Sequence, residues 1–203
     1  MPWQEDHKEQ THQRILDAAA AAFREHGVAG IGIADIMRRA GLTHGGFYAH
    51  FKSKDELVAE VLGAMAARRA QTAEAVAERP GDEKLMAVAE AYLTSRHREH
   101  PERGCMIAAI GSELARMAGP AKQSFDGNVR AWLSQLAEYA PADGADARRQ
   151  QATGTYAAMI GGMILARGVE DPHEADRILA DVRAFLQDTV GTVGTTRKRR
   201  PKK

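Results

Sequence analysis

Ile15 to Leu57 reads ILDAAAAAFREHGVAGIGIADIMRRAGLTHGGFYAHFKSKDEL, and the spacing of its apolar residues, glycines and bases decides the fold. Ile15, Leu16, Ala19, Ala22 and Phe23 share one face of a helix predicted from about Thr11 to His26, and Gly27 suits the position just past its end. Ile33, Ile36, Met37 and Ala40 repeat the same periodicity and predict a second helix, which Gly41 stops. A short third helix is expected over His44–His50, with Phe47 and Phe51 on one side. A fourth starts after Ser53, where Ser53 and Glu56 make a capping box and Leu57, Val58, Val61, Leu62 and Met65 supply the apolar stripe.

The second helix, the turn Gly41-Leu42-Thr43 and the third helix form a helix-turn-helix pattern, a motif that lays its second helix in the major groove of DNA. Between Ile36 and Lys54 lie the bases Arg38, Arg39, Lys52 and Lys54 and no acid, which suits phosphate contact. A solvated face would carry the same charges. Gly45 and Gly46 each cost a short helix about 1 kcal/mol relative to alanine, and they let its backbone approach another surface. Thr43 is placed to cap the third helix, and a capping hydroxyl also binds phosphate. Lys54 opens the fourth helix, where the macrodipole disfavours a cation; a DNA phosphate beside it, or plain exposure, accounts for it equally well.

Outside this stretch helical periodicity continues, with sparse β-branched residues and no sustained alternation, so the chain reads as all-α with about nine helices. Further helices are expected near Glu83–Glu99, Gly104–Met117, Ala121–Tyr139, Ala145–Ala166 and His173–Val190, with Pro80-Gly81-Asp82 the clearest break. A hydrophobic fraction of 44% with 27% charged residues excludes a wholly disordered or fibrous chain of these 203 residues. The net charge of +1 hides an asymmetry, because without the six bases of the RKRRPKK tail 22 basic residues face 27 acidic ones. Residues 192–203 read as a disordered basic tail that adds non-specific DNA affinity or is simply solvated. The single cysteine, Cys105, excludes a disulfide framework within the chain. With a polar N-terminus and no apolar span, the expectation is a soluble cytoplasmic protein with no membrane association.

Three motifs in the quoted stretch, Ala-Ala-x-x-x-Phe, D-I-x-x-x-A-G-L-T and F-Y-x-H-F-x-S-K-x-x-L, together resemble the DNA-binding domain of TetR-family transcriptional regulators. The resemblance implies a three-helix DNA-binding domain (8–56) and a helical ligand-binding and dimerisation domain (57–191). It implies a homodimer on double-stranded DNA bearing a palindromic operator, and a repressor released by a small-molecule effector. It places Thr43, His44, Gly45, Gly46, Tyr48, His50 and Lys54 on the DNA-binding surface. The chain departs from the family at Ile31-Gly32, where a Ser or Thr often stands, so a hydroxyl contact to phosphate is lost there. The segment from His100 to Ala115 resembles a family subgroup with Gly-Cys at the start of the sixth helix.

In the C-terminal half, Tyr92, Cys105, Met106, Phe125, Trp132, Met159 and Met163 are candidates for an apolar effector cavity, and equally for core. Tyr156, Ile160 and Met163 form one stripe and Ile178, Val182, Phe185 and Leu186 another. With Gly161-Gly162 allowing close approach, they suit a four-helix dimer seam or each helix's own core. Cys105 near a helix start reads as an electrophile sensor or, more commonly, as a buried inert thiol. His97, His100 and Cys105 match no metal-site spacing, so no metal or cofactor is expected. A rival reading is an all-α enzyme with Cys105 as nucleophile and His97 or His100 as base, but no oxyanion element accompanies them. An architectural DNA-binding dimer without a ligand is a third reading, which the long C-terminal domain disfavours.

Overall fold

The computed structural model describes residues 2–191, and all regular structure among them is helical. The α-helices are α1 (Pro2–His26), α2 (Ile33–Arg39), α3 (Lys54–Gly63), α4 (Met65–Ala75), α5 (Lys84–Tyr92), α6 (Ser95–Glu99), α7 (Met106–Arg116), α8 (Gly119–Tyr139), α9 (Ala145–Gly168) and α10 (Pro172–Gly191). Two 3₁₀ segments, His44–Ala49 and Pro101–Arg103, complete the list. The basic tail expected at 192–203 lies outside the described residues.

Four expectations about the helices change. The first helix begins at Pro2, nine residues before its expected start. The segment after the turn is 3₁₀, not α, because Gly45 and Gly46 weaken its first turn and its amides bond three residues back, as Gly46 does to the Thr43 carbonyl at 3.1 Å. The fourth helix breaks at Ala64, after Gly63, where side chains of α8 take the carbonyls: Ser124 Oγ donates to Ala59 O at 2.9 Å and Asn128 Nδ2 to Leu62 O at 3.0 Å. The helix expected over Glu83–Glu99 divides at Leu93-Thr94, because the Thr94 hydroxyl accepts from the His97 amide at 3.1 Å and starts a new helix, α6.

The chain forms two compact units. One runs from the N-terminus to Ala66 and adds His100–Asn128; the other comprises Ala67–Glu99 and the residues from Val129 onward. The first unit therefore takes in α7 and the start of α8, beyond the 8–56 boundary drawn from the sequence. Its core is built from Ile15, Phe23, Ile36, Met37, Phe47, Phe51, Leu57 and Leu62, all buried. In the second unit α9 packs along α10, and α5 lies against both. Gly162 gives α10 its room there, since a Cβ at this position would lie 3.0 Å from Val182 Cγ2. Gly162 thus serves the chain's own packing, whereas Gly161 has open space.

Short α6 is fastened by side chains. Arg98 pairs with Asp176 at 2.9 Å, Arg167 donates to the His97 carbonyl at 2.7 Å, and the His97 ring contacts the Tyr92 carbonyl through Nδ1 at 2.8 Å. Burial lowers the His97 pKa; its hydrogen bond to Tyr92 opposes this, and Arg167 and Arg68 reinforce it. Above the ordinary value of 6.5 His97 is neutral in both states and contributes no pH dependence. As pH falls through that value the unfolded chain takes a proton that the folded chain refuses, so stability declines until the folded pKa is passed. Urea unfolding of His97→Gln between pH 5 and 7.5 is expected to show a shallower acid slope than the parent. An identical slope would mean that other groups carry the acid sensitivity.

Candidate nucleic-acid interface

The turn after α2 is set by Gly41, whose φ of +70° is left-handed. Leu42 N donates to Met37 O at 2.9 Å and Gly41 N to Arg38 O at 3.0 Å, the paired bonds of a Schellman ending. Arg14 of α1 satisfies the remaining Ala40 carbonyl at 2.6 Å. The chain then enters the recognition segment, His44–Ala49. Phe47 is fully buried and stacks with Phe51 at 5.5 Å, so the segment's inner side is fixed by core packing.

The opposite side is open. Thr43, His44, Gly45 and Tyr48 are exposed, with Tyr48 at 63%. Tyr48 stands edge-on to both Phe47 (5.3 Å) and His44 (6.1 Å), so its ring is braced while most of the side chain stays open to solvent. Thr43 occupies the cap position, but its hydroxyl takes no amide from the segment; the expected side-chain cap is absent. Neither Gly45 nor Gly46 has a positive φ, and a Cβ on Gly45 would meet nothing within 4 Å. Nothing inside the described fold calls for a glycine at position 45.

His50 closes the segment half-buried, its ring 5.7 Å from that of His12, with Nδ1 enclosed and unpartnered. Burial, then His12 and Lys8, lower its pKa and keep the imidazole neutral. His12 is in turn bonded to Glu60 at 2.7 Å and stacked on Phe51 at 4.5 Å.

The basic cluster read from the sequence is less available than its count suggests. Arg38 pairs with Asp35 at 2.5 Å, and Arg39 pairs with Glu25 at 2.7 Å and meets His26 at 2.6 Å. The Arg39 hydrogen bond accordingly lowers the Glu25 pKa. Asp35 lies immediately before the window counted in sequence, and Glu25 lies one helix earlier. Lys54 is neither exposed nor waiting for an anion: its ammonium donates to the Val28 and Ile31 carbonyls, and burial lowers its pKa. Those carbonyls explain a cation at the first position of α3. Lys52 is exposed beside Ser53, and Arg38 is a surface pair that a phosphate competes with at little cost. Both were counted in the basic cluster read from the sequence, but neither was placed on the DNA-binding surface that the family resemblance implies, where Lys52 falls between residues of the motif. The capping box is altered as well: Ser53 Oγ accepts from Glu56 N at 3.1 Å, but the Glu56 carboxylate reaches the Lys52 amide, one residue further back.

The seven effector candidates do not fall in one unit. Cys105, Met106 and Phe125 belong to the first, Tyr92, Trp132, Met159 and Met163 to the second. Cys105 is the buried cap residue of α7, and Met106, Met159 and Met163 are also buried. In the second unit Trp132 stacks on Tyr156 at 6.1 Å and Tyr92 stands edge-on to His97 at 4.4 Å. Among the described residues no cluster of three or more His, Cys, Asp or Glu suits a metal ion. No helix among them is long and apolar enough to cross a membrane.

An exposed 3₁₀ recognition segment behind a glycine-ended helix, backed by an aromatic core, defines a helix-turn-helix DNA-binding protein. Residues 15–61 match the family model described as bacterial regulatory proteins, tetR family, and residues 81–182 match the tetracyclin repressor-like C-terminal domain. The chain belongs to the TetR family of DNA-binding transcriptional regulators, whose members are not enzymes, and nothing favours the catalytic reading of Cys105. The regulator AcrR of Shigella flexneri is 40% identical over 53 residues, 26% of this chain and 25% of that protein. The chain thus spans about a quarter of the length of such curated relatives. A TetR-family regulator from Agrobacterium tumefaciens superposes with a TM-score of 0.77 at 18% identity, covering 90% of this chain and 98% of that one. AibR, crystallised with isovaleryl coenzyme A and operator DNA, superposes at 0.65 with 17% identity, covering 87% and 97%. At these identities the superpositions show the shared fold.

Proposed function

We propose that the protein is a cytoplasmic homodimeric repressor that binds a palindromic operator and is released by a small apolar effector. The observation that carries the DNA-binding part is the open outer side of the recognition segment: Tyr48 exposed and ring-held, Thr43 with an unused hydroxyl, and Gly45 bare with no internal need to be. Thr43, His44, Gly45, Gly46, Tyr48 and His50 form the reading surface, and Lys52 and Arg38 add phosphate contacts. Lys54 acts there through the backbone turn it holds.

The dimer seam is assigned to α9 and α10. Tyr156, Met163 and Leu186 are buried by their own chain and Val182 packs on Gly162, which leaves Ile160, Ile178 and Phe185 of the residues expected from sequence. Ile164 and Leu165 join them as exposed apolar residues of α9. A large apolar residue kept in water on each of two adjacent helices fits a symmetric partner. Such a dimer presents its two recognition segments to successive major grooves about 34–36 Å apart. For the effector, the Trp132–Tyr156 stack of the second unit supplies an apolar wall. That AibR was crystallised with an acyl coenzyme A as well as operator DNA supports a fold able to couple the two ligands. Release follows only as far as the effector prefers the DNA-free conformation.

The test is selection from a random duplex pool. A palindrome is expected to enrich, and Tyr48→Phe is expected to bind it roughly tenfold more weakly with unchanged stability, the cost of one hydrogen bond to a charged group. Enrichment of a single half-site would reject the dimer, and parental affinity of Tyr48→Phe would remove this hydroxyl from the interface.

A further inference from the structure

We infer that Glu113, on α7, is a positioning residue for DNA binding, holding the Gly27–Gly32 connection that carries α1 into α2. The inference rests on the DNA-reading role of the recognition segment. The connection reads Gly-Val-Ala-Gly-Ile-Gly, with no side chain able to hydrogen-bond. Its backbone groups must therefore find partners elsewhere or stay hydrated and loose. Four of them find partners on two oppositely charged side chains. The Glu113 carboxylate accepts from Val28 N at 2.9 Å and from Ala29 N at 3.0 Å, both on Oε2. The Lys54 ammonium takes the carbonyls of Val28 and Ile31. Charge-assisted bonds of this kind are the stronger class.

Gly27 is shaped to the carboxylate as well. Its φ is +77°, and a Cβ there would lie 2.4 Å from Glu113 Oε1. The same glycine that ends α1 makes room for the acid. All these groups belong to the first compact unit. α7 is kinked at Ile110, where φ is −132° and ψ is 15°, and Glu113 sits on the piece after the kink, beside the buried Leu114.

Consequences for DNA follow from what the connection holds. Gly32 caps α2, with Ile36 N bonded to its carbonyl at 3.1 Å. α2 in turn supports the recognition segment, since a Cβ on Gly46 would touch Met37 Cε at 3.6 Å. A connection free to move moves α2 and the reading surface with it. Glu113 acts without touching a base or phosphate; it limits the orientations in which the recognition segment presents itself.

The test compares Glu113→Ala, Glu113→Gln and Leu114→Ala in the full chain, at a temperature where circular dichroism shows each fully folded. The readouts are affinity for the selected duplex and hydrogen exchange of the Val28 and Ala29 amides. Glu113→Ala is expected to lose amide protection and about tenfold in affinity, as for a lost charge-assisted bond pair. Glu113→Gln, which keeps an acceptor oxygen, is expected to retain the protection and most of the affinity. Parental affinity in Glu113→Ala, or amides still protected there, would overturn the inference. So would an equal loss in Leu114→Ala, which perturbs α7 but keeps the carboxylate. Failure of the parent chain to bind any duplex would instead strike at the DNA-reading role itself, and the amide protection still reports on the clamp.

Discussion

If the proposed dimer forms through this face, a chain carrying both Leu165→Glu and Phe185→Asp is expected to sediment as a folded monomer and to bind the selected duplex at least a hundredfold more weakly than the parent. Both side chains are largely in water in the isolated chain, 62% and 59% exposed, so replacing them leaves its core intact. Burying an apolar side chain of this size is worth about 1.5–3 kcal/mol, and a two-fold interface buries each one twice. Acids at these positions forfeit that burial and place like charges opposite one another. Bivalent DNA binding fails with the dimer, because the second half-site is no longer presented at high effective concentration. Sedimentation and duplex titration at matched concentrations check the result, with circular dichroism as the folding control. A variant that stays dimeric would take this face out of the seam.

The features legible in sequence are those whose cause lies within a few residues. Gly41 announced the end of α2 because a left-handed residue is needed at that point, and Phe47 and Phe51 announced the buried side of the recognition segment by their spacing. Ser53 announced the start of α3 because its hydroxyl caps the amide of Glu56, three residues on. The residues proposed for the seam could only be half sorted in sequence. A stripe of apolar residues looks alike whether it faces its own core or a second copy, and only the packing separates Leu186, buried, from Phe185, exposed.

What escaped depends on partners far along the chain. The charge of Arg39 is spent on Glu25, one helix earlier, and the puzzle of Lys54 dissolves only when it meets the carbonyls of Val28 and Ile31. Glu113 lies on a helix that the sequence assigned to another domain, so no local pattern marks it as part of the DNA-binding body. A charge count over a window overstates a phosphate-binding surface whenever the neutralising acids come from outside the window.

Phe47→Ala is expected to destabilise the first unit by about 3–5 kcal/mol, the range for removing a buried aromatic, and to abolish specific DNA binding. That cost is a large part of the 5–15 kcal/mol that typically holds a domain together. The argument for a value at the upper end is local. The recognition segment has only a few turn-like bonds of its own and two glycines in its first turn, so its shape comes from the rings it buries rather than from helix propensity. Phe47 is the ring that reaches the core, and it holds Phe51 by stacking and Tyr48 by its edge. Without it the exposed Tyr48 loses its support, so the reading surface and the core fail together. Urea unfolding and hydrogen exchange over 43–51 separate this from Tyr48→Phe, which is expected to leave both at parental values while still weakening DNA binding. An unchanged unfolding midpoint in Phe47→Ala would mean that the segment is held by its backbone alone, and the glycines at 45 and 46 make that the harder case to sustain.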